Sequence, residues 1–292
     1  MQRPQIMGIL NVTPDSFSDG GTHTDTGLAV DHALRMVADG ADVIDVGGES
    51  TRPGSEPVPP DEQLRRVLPV VRAVRAALDK AQPTVRISID TSLSQVAGPC
   101  LDEGAMMLND VRASTDERSN EPMIQLAVRR NVPIVLMHMQ GSPQTMQQSP
   151  AYEDVVRDVT GFLAVQAMRA QHAGLSREQI WLDPGIGFGK TKAHNLTLLA
   201  NLSALVALGF PVLLGTSRKR FMGTICQVVD DLSFAPRTPQ PRELIAATTA
   251  TTALGVAAGV RMFRVHDVRE NRHAADVAYA IRSAVSQTPV TP

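Results

Sequence analysis

The sequence predicts an α/β fold, a (β/α)8 TIM barrel that forms a single domain over residues 1–292. Three observations support this prediction. Short apolar runs occur eight times along the chain, stretches with helical spacing lie between them, and glycine and proline cluster after the runs. Eight strand-and-helix units in 292 residues fit a closed parallel barrel better than an open doubly wound sheet, which is the alternative fold.

The predicted strands are nearly continuous apolar runs, as expected of parallel strands covered on both faces. They span 6–10, 43–46, 85–89, 106–108, 133–137, 180–182, 211–214 and 262–265. Residues with a helical period lie between them, for example Ala29, Ala33 and Val37 after the first strand. The proline-rich stretch near 235–241 is interpreted as a surface excursion before the last two helices. Four glycines are placed to end helices: Gly40, Gly104, Gly174 and Gly209.

The composition limits the possible functions. A formal net charge of -2 gives no basic surface that would hold nucleic acid. The sequence has no apolar span of about 20 residues for a membrane helix, and the apolar run near the N-terminus is too short for a signal peptide. Cys100 and Cys226 form no disulfide framework or zinc pattern, and both are interpreted as buried thiols. We therefore expect a cytoplasmic protein with small-molecule partners, no nucleic acid and no membrane.

Polar residues concentrate where the predicted strands end. In a parallel barrel the chemistry is carried by the loops that leave the carboxyl ends of the strands. A single polar strand end is usually a cap or a turn, whereas eight of them indicate a shared site. The residues at these ends include Asn11, Thr51, Asp90, Asn109, His138, Asp183, Lys219, Arg264 and His266.

The motifs at these strand ends resemble the dihydropteroate synthase family. In order they are MGILNVTPDSFSDGG, DVGGESTRPG, ISIDTS, LNDV, VLMHMQG, LDPGIGFGK, GTSRK and RVHDV, and they cover nearly the whole chain. The resemblance implies a transferase of folate biosynthesis and a sulfonamide target. Its reaction would condense 6-hydroxymethyl-7,8-dihydropterin pyrophosphate with p-aminobenzoate, giving 7,8-dihydropteroate and pyrophosphate. Two departures from the family pattern are Ser142 after HMQG and Arg220 after SRK.

A pterin ring presents N–H donors, an amine and a carbonyl along one edge, so a selective pocket needs carboxylates, an amide and a cation. By resemblance, Asp183 takes the amine and the adjacent ring N–H, and Lys219 the carbonyl. Asn109 and Asp90 take the remaining ring nitrogens. The alternative for Asp183 and Asn109 is a cap or a turn, while Asp90 without a ligand would be buried with no partner. The predicted substrate contacts also include Met139 and Gly187.

The pyrophosphate requires a second group of donors. Asn11, Arg264 and His266 come from the first and last strands, which are neighbours in a closed barrel. The resemblance implies Mg²⁺ as cofactor, held by the side-chain oxygen of Asn11 and otherwise by phosphates and water. Alternatively, Arg264 is a surface cation and His266 a helix cap. The residues predicted to be catalytic are Asp90, Lys219, Arg264 and His266, and no general base is required.

The p-aminobenzoate requires an apolar slot and an anion site. Phe17, Pro53, Phe188 and the stem of Lys219 are expected to hold its ring, although the two phenylalanines could simply anchor loops. The carboxylate is expected at the N-terminus of the helix after Lys219. The long loops 13–21 and 48–59 are interpreted as lids. Ser18, Thr51 and Arg52 lie nearby in these loops.

Two other functions are weighed against this one. A corrinoid-linked pterin methyltransferase would lack the motifs NVTPDSFSDGG and STRPG. A non-catalytic pterin-binding paralogue would have lost Asn11, Thr51, Lys219 or Arg264, and all four are present. A homodimer is expected by analogy with the family, and small apolar residues over 246–258 would allow close packing against a partner.

Overall fold

The structure is a computed structural model that describes residues 2–12, 22–50, 54–226, 228–229 and 236–285. Each predicted strand is present within one or two residues of its predicted bounds. The barrel strands are β1 (Gln5–Asn11), β2 (Val43–Gly47), β3 (Arg86–Asp90), β4 (Met107–Asp110), β5 (Ile134–Met137), β6 (Ile180–Asp183), β7 (Leu213–Leu214) and β10 (Met262–Val265). Between β7 and β10, β8 (Val228–Val229) and β9 (Pro236–Arg237) form a short antiparallel ribbon, and β9 lies in the predicted surface excursion.

Helices follow the strands on the outside of the barrel. They are α1 (Thr22–Ala38), α2 (Pro60–Ala81), α3 (Ser94–Asp102), α4 (Met123–Arg130), α5 (Val155–Ala173), α6 (Lys192–Ala200), α7 (Leu202–Val206), α8 (Arg220–Gly223), α9 (Ile245–Ala258) and α10 (Val268–Val285). The four glycines predicted to end helices lie one to three residues past α1, α3, α5 and α7, and all have positive φ. That prediction is confirmed. No helix among the described residues is long and apolar enough to cross a membrane.

The eight barrel strands run parallel in the order β6-β5-β4-β3-β2-β1-β10-β7. An isolated parallel bridge between Leu182 and Val212 joins β6 to β7 and closes the ring. The (β/α)8 barrel prediction is therefore confirmed, and the open-sheet alternative is wrong. The ladder of β7 is shorter than predicted, since it begins only at Leu213. Strands β1, β3, β4 and β6 instead continue into their polar ends, so these side chains are held by the sheet itself.

Alternating side chains divide the core into two parts. One set of apolar residues faces the helices and forms the large outer core. A second cluster forms the apolar floor inside the barrel: Met7, Val43, Met107, Val135, Trp181, Leu213 and Met262. Because successive inward positions are two residues apart in a strand, the next layer towards the carboxyl ends begins two residues later. That layer contains Asp45, Asn109, Asp183 and Arg264, so a polar ring lies directly on the apolar floor.

One interpretation made for the cysteines is wrong. Cys100 is buried in α3, as predicted, but Cys226 is exposed. It follows the short helix α8 in a bend before the β8–β9 ribbon, where the chain leaves the barrel surface.

Candidate active site

The centre of the polar ring is a buried ion-pair cluster. Arg264 on β10 donates from Nε to Asp45 Oδ2 at 2.7 Å and from Nη2 to Asp90 Oδ2 at 2.6 Å. Asp45 is fully buried and Asp90 is 8% exposed. Asn109 Nδ2 also donates to Asp45 Oδ2, at 2.9 Å. Asp90 therefore has a partner even without a ligand, which corrects the expectation that it would be buried alone. Arg264 is a member of this cluster and not a surface cation.

Burial and the neighbouring charges shift the pKa values of this cluster in opposite directions. Burial raises the pKa of Asp90 to about 7, and the guanidinium of Arg264 offsets part of this rise. Burial would lower the pKa of Arg264, but the carboxylates of Asp45 and Asp90 outweigh it and raise that pKa above its ordinary value. The arginine therefore stays charged, while Asp90 is poised to gain or lose a proton near neutral pH.

Asp183 ends β6, and one of its two carboxylate oxygens binds the turn that follows. Its Oδ1 accepts the N–H of Gly185 at 2.7 Å, so the predicted turn interpretation holds for one oxygen. Its Oδ2 faces Gly215 at the end of β7, where an added Cβ would lie 3.9 Å away. Burial raises the pKa of Asp183 to about 6, against the Gly185 N–H and the charges of nearby lysine and arginine side chains. One carboxylate oxygen thus remains available to a ligand.

The sequence left Asn109 either a pterin contact or a turn residue, and its neighbour Asp110 is the one that forms the turn. Asp110 is buried and accepts the N–H of Arg112 at 2.9 Å and that of Ser114 at 2.5 Å, which makes it the turn residue. Asn109 takes no part in that turn. Because its amide nitrogen is bound to Asp45, its amide oxygen is the atom left for a ligand.

Lys219 and Phe188 form one wall of the site. The Nζ of Lys219 lies 4.1 Å from the centroid of the Phe188 ring, within the range of a cation–π contact. Burial and the charge of Arg264 lower the pKa of Lys219 to about 8, although Asp183 and Asp90 oppose this. A Cβ added to Gly187 would lie 3.2 Å from Lys219 Cδ, so the loop after β6 passes close to the lysine stem. The predicted residues Gly187, Phe188 and Lys219 are therefore adjacent.

His266 is fixed by the loop after β7. Its Nδ1 lies 3.0 Å from Ser217 Oγ, and its backbone N–H donates to the same oxygen at 3.1 Å. The next residue of that loop, Arg218, has φ +57 and binds Asp267 at 2.6 Å. A non-glycine residue in this conformation is strained, and the ion pair holds it there. His266 also lines a cavity of ≈ 400 Å³ between α1 and α10, together with His32, Arg35 and Arg269.

Asn11 and Met139 are not bonded to this cluster, although Asn11 lies in register with Gly47, which pairs with Asp90. Asn11 ends β1 opposite Gly47, and its side chain makes no hydrogen bond to the described residues. Met139 lines a separate cavity of ≈ 120 Å³ with Glu49, Ser92 and Arg112. The helix α8 after Lys219 has only four residues, so its N-terminus is a weak anion site. Five predicted contacts of p-aminobenzoate fall outside the described residues: Phe17, Ser18, Thr51, Arg52 and Pro53.

Three buried groups were not assigned by the sequence prediction. Asp45 binds both Arg264 and Asn109, and the available signal was a charged residue inside the apolar run 43–46. Lys190 and His138 lie side by side behind Asp183, and both stand in recognised motifs without an assigned role. Gln63 on α2 is 1% exposed and donates to Glu49 at 3.1 Å, which anchors the loop after β2. Gln63 lies in a long amphipathic helix, and nothing in the sequence distinguished it from the other polar residues there.

Comparison with known proteins agrees with this geometry. A family model described as pterin binding enzyme matches residues 7–266. A dihydropteroate synthase of Synechocystis sp. is 43% identical over 280 residues, which cover 96% of this chain and 91% of that protein. The chain belongs to the dihydropteroate synthase family. The predicted family, and with it a transferase of folate biosynthesis, is confirmed.

Solved structures of the family share the fold. The Yersinia pestis dihydropteroate synthase in complex with a sulfonamide drug matches with a TM-score of 0.82 and 40% identity, covering 96% of this chain and 95% of that one. The Xanthomonas albilineans dihydropteroate synthase in complex with 7,8-dihydropteroate matches with a TM-score of 0.79 and 38% identity, covering 98% and 95%.

Proposed function

We propose that residues 1–292 form one pterin-binding domain that condenses 6-hydroxymethyl-7,8-dihydropterin pyrophosphate with p-aminobenzoate. The observation that carries the proposal is the polar ring at the carboxyl ends of the strands. It holds carboxylates, an amide and a lysine together in the combination that a pterin edge requires. The 7,8-dihydropteroate in the related Xanthomonas albilineans structure is the product that this reaction would form.

The pterin is proposed to bind through the atoms left unpaired in the ring. Asp183 Oδ2 accepts from the exocyclic amine and the adjacent ring N–H, while Lys219 donates to the carbonyl. The amide oxygen of Asn109 and the carboxyl of Asp90 contact the remaining ring nitrogens. Gly187 and Met139 complete the substrate contacts. Since an ionised carboxylate only accepts hydrogen bonds, Asp183 must be ionised to match two donors.

The chemistry breaks the bond between the exocyclic methylene carbon and the pyrophosphate oxygen, and the electron pair leaves with pyrophosphate. The amine nitrogen of p-aminobenzoate then bonds to that carbon and releases a proton to solvent. Positive charge that develops on the pterin is stabilised by Asp90 in its ionised form. Arg264, Lys219 and His266 are the proposed cations and donors that favour departure of the anion.

The residues at Asn11 fit a magnesium ion held mainly by its substrate. The described residues contain no group of three histidine, cysteine or acidic side chains that could hold a metal by itself. The side chain of Asn11 makes no hydrogen bond to the described residues and stands at the carboxyl end of β1. One amide oxygen with phosphate and water ligands satisfies Mg²⁺. When bound, the ion would neutralise charge on the pyrophosphate.

The p-aminobenzoate ring is proposed to pack on Phe188 and the stem of Lys219, which already lie together. Phe17, Ser18, Thr51, Arg52 and Pro53 remain proposed contacts from loops outside the described residues. The related Yersinia pestis structure contains a sulfonamide drug, which supports the proposal that this chain is a sulfonamide target.

The decisive experiment is pyrophosphate release by the purified protein. Release that requires Mg²⁺, and that yields dihydropteroate only when p-aminobenzoate is added, would support the proposal. An Asn11→Ala variant is expected to need more Mg²⁺ for half-maximal rate. No release, with pterin binding still measurable by calorimetry, would favour the non-catalytic paralogue.

We also propose that the chain forms a homodimer through α9 and α10. Large apolar side chains are exposed on this pair of helices, with Leu254 at 67%, Val277 at 61% and Ile281 at 63%. Exposed apolar side chains that cluster on adjacent helices mark interaction surfaces. Leu254→Glu with Ile281→Glu should give a monomer by sedimentation, whereas Met168→Glu on α5 should not. The cytoplasmic location stays a prediction.

A further inference from the structure

Lys190 is a buried cation that the reaction does not use. It lies near the end of the loop after β6 and is only 2% exposed. Its Nζ lies 3.0 Å from His138 Nδ1, 3.0 Å from the carbonyl oxygen of Phe188 and 3.4 Å from that of His138. Within the part of the chain that the structure describes, no carboxylate forms an ion pair with it. A buried ammonium without an ion pair costs free energy, so its retention calls for a reason.

The three contacts of Lys190 join two loops of the barrel mouth. His138 directly follows β5, and its backbone N–H donates to the carbonyl oxygen of Asp183 at 3.0 Å. Phe188 belongs to the loop after β6 and contacts Lys219. The ammonium therefore holds both loops at the point where each one meets the pterin site.

The loop after β6 is fitted closely against the loop after β5. An added Cβ on Gly185, which has φ +64, would lie 1.9 Å from the carbonyl oxygen of His138. An added Cβ on Gly189 would lie 2.4 Å from the carbonyl oxygen of Gln140. Tyr152 also donates its hydroxyl to the carbonyl oxygen of Gly189 at 2.7 Å. A segment held this tightly transmits a displacement at Lys190 to the residues that line the site.

Lys190 also places positive charge behind Asp183. The two groups stabilise each other's charged forms, since Asp183 raises the pKa of Lys190 and Lys190 lowers that of Asp183. Burial nevertheless lowers the pKa of Lys190 to about 7. Burial lowers the pKa of His138 to about 3, so the imidazole is neutral and its Nδ1 can accept from the ammonium.

We propose that Lys190 is a positioning residue of the pterin site, whose ammonium fixes the loop after β6 against the end of β5 and keeps Asp183 ionised for pterin binding. The inference deepens the proposed function, because it rests on Asp183 as the pterin acceptor. The ionisable groups that face Lys190 or its partners from neighbouring elements are His138, Tyr152, Asp158, Asp183, His194 and Lys219.

The test compares Lys190→Gln, which removes the charge, with Lys190→Arg, which keeps it. Lys192→Gln, two residues along and exposed, is the matched control. The affinity for 6-hydroxymethylpterin is measured by calorimetry between about pH 5 and 9, with kcat and the KM for p-aminobenzoate at each pH. For Lys190→Gln, we expect the acidic limb of pterin binding to move up by about one pH unit. Pterin affinity near pH 6 should then fall about fivefold, and the KM for p-aminobenzoate should rise because Phe188 lies on the same loop. Lys190→Arg and Lys192→Gln should keep the pH dependence of pterin binding that the wild-type protein shows.

The outcomes separate the inference from the proposed function. Wild-type protein that binds no pterin would refute the proposed function itself. Wild-type binding with an unchanged acidic limb in Lys190→Gln would overturn the inference alone. Lys190→Met gives the same comparison if the glutamine variant does not fold. If both neutral variants fail to fold while Lys190→Arg folds, the lysine is structural and the positioning role is wrong.

Discussion

Removing Arg264 should destabilise the protein more than any exposed arginine does. In Arg264→Met the carboxylates of Asp45 and Asp90 lose the guanidinium that now lies 2.7 and 2.6 Å away. Asp45 is fully buried, so water cannot replace the lost partner. Breaking a buried ion pair from one side typically costs about 3–5 kcal/mol. We therefore expect the free energy of unfolding to fall by about 3–5 kcal/mol at pH 8.

The same loss should shrink as the pH is lowered. Burial raises the folded-state pKa of Asp90 to about 7, above its ordinary value. A raised carboxyl pKa means that folding takes up a proton, so stability falls as pH rises towards that pKa. Without Arg264 this pKa rises further. The deficit of Arg264→Met should therefore be larger at pH 8 than at pH 5, where Asp90 is protonated with or without the arginine.

This effect is measured by urea unfolding at both pH values, with the fluorescence of Trp181 as the signal. It is the single tryptophan of the chain and lies in the apolar floor of the barrel. Arg65→Met, which removes an exposed ion pair on α2, is the control and should change stability little. Adding Asp90→Asn to Arg264→Met should restore part of the loss. A deficit under about 1 kcal/mol, equal at both pH values, would refute the charge argument.

Three further changes test the site and its supports. Asp183→Asn replaces an acceptor oxygen by a donor and should weaken pterin binding about 100-fold by calorimetry; unchanged affinity would exclude Asp183 from the pocket. Gly185→Ala should lower the free energy of unfolding by about 2 kcal/mol or more in urea, because its Cβ meets a backbone oxygen, and a neutral result would show that the loop adapts. Gln63→Leu leaves the Thr91 hydroxyl without the acceptor now 3.1 Å away and should cost about 1–3 kcal/mol. It should also raise the KM for p-aminobenzoate, since the loop after β2 loses its anchor, whereas a wild-type KM would separate that loop from substrate binding.

The fold could be predicted because each strand and helix carries its own local signal. The apolar runs, the helical periods and the helix-ending glycines each specify one element, and eight repeats leave few architectures. The bounds were less certain at β7 and at the carboxyl ends of the strands. Asn109 and Asp110 continue the β4 ladder although both are polar, since their backbones pair with Val135 and Leu136 of the next strand. Tertiary pairing outweighs local propensity there.

The site was predictable only as a set of residues, and not as a set of contacts. The polar strand ends placed Asp90, Asn109, Asp183 and Lys219 together, because parallel strands end at one face of a barrel. Asp45 was missed because its partner Arg264 is 219 positions away in the sequence. From the sequence alone, Asp45 is a charged residue in an apolar run, and only the folded barrel shows that Arg264 on β10 is its counter-ion.

The charges of the barrel mouth suggest why this arrangement suits its ligand. Asp45, Asp90 and Asp183 face the cations Lys190, Lys219 and Arg264, so three acids meet three bases over an apolar floor. With Asp90 protonated these six groups carry one net positive charge, and ionisation of Asp90 brings their charges into balance. When pyrophosphate departs and the pterin becomes cationic, the site must supply one extra negative charge. Asp90 can do so, because its pKa of about 7 leaves a proton that a cationic neighbour would drive off. The kcat of the wild-type enzyme should therefore depend on pH near 7, and a pH-independent kcat across that range would remove Asp90 from the charge-stabilising role.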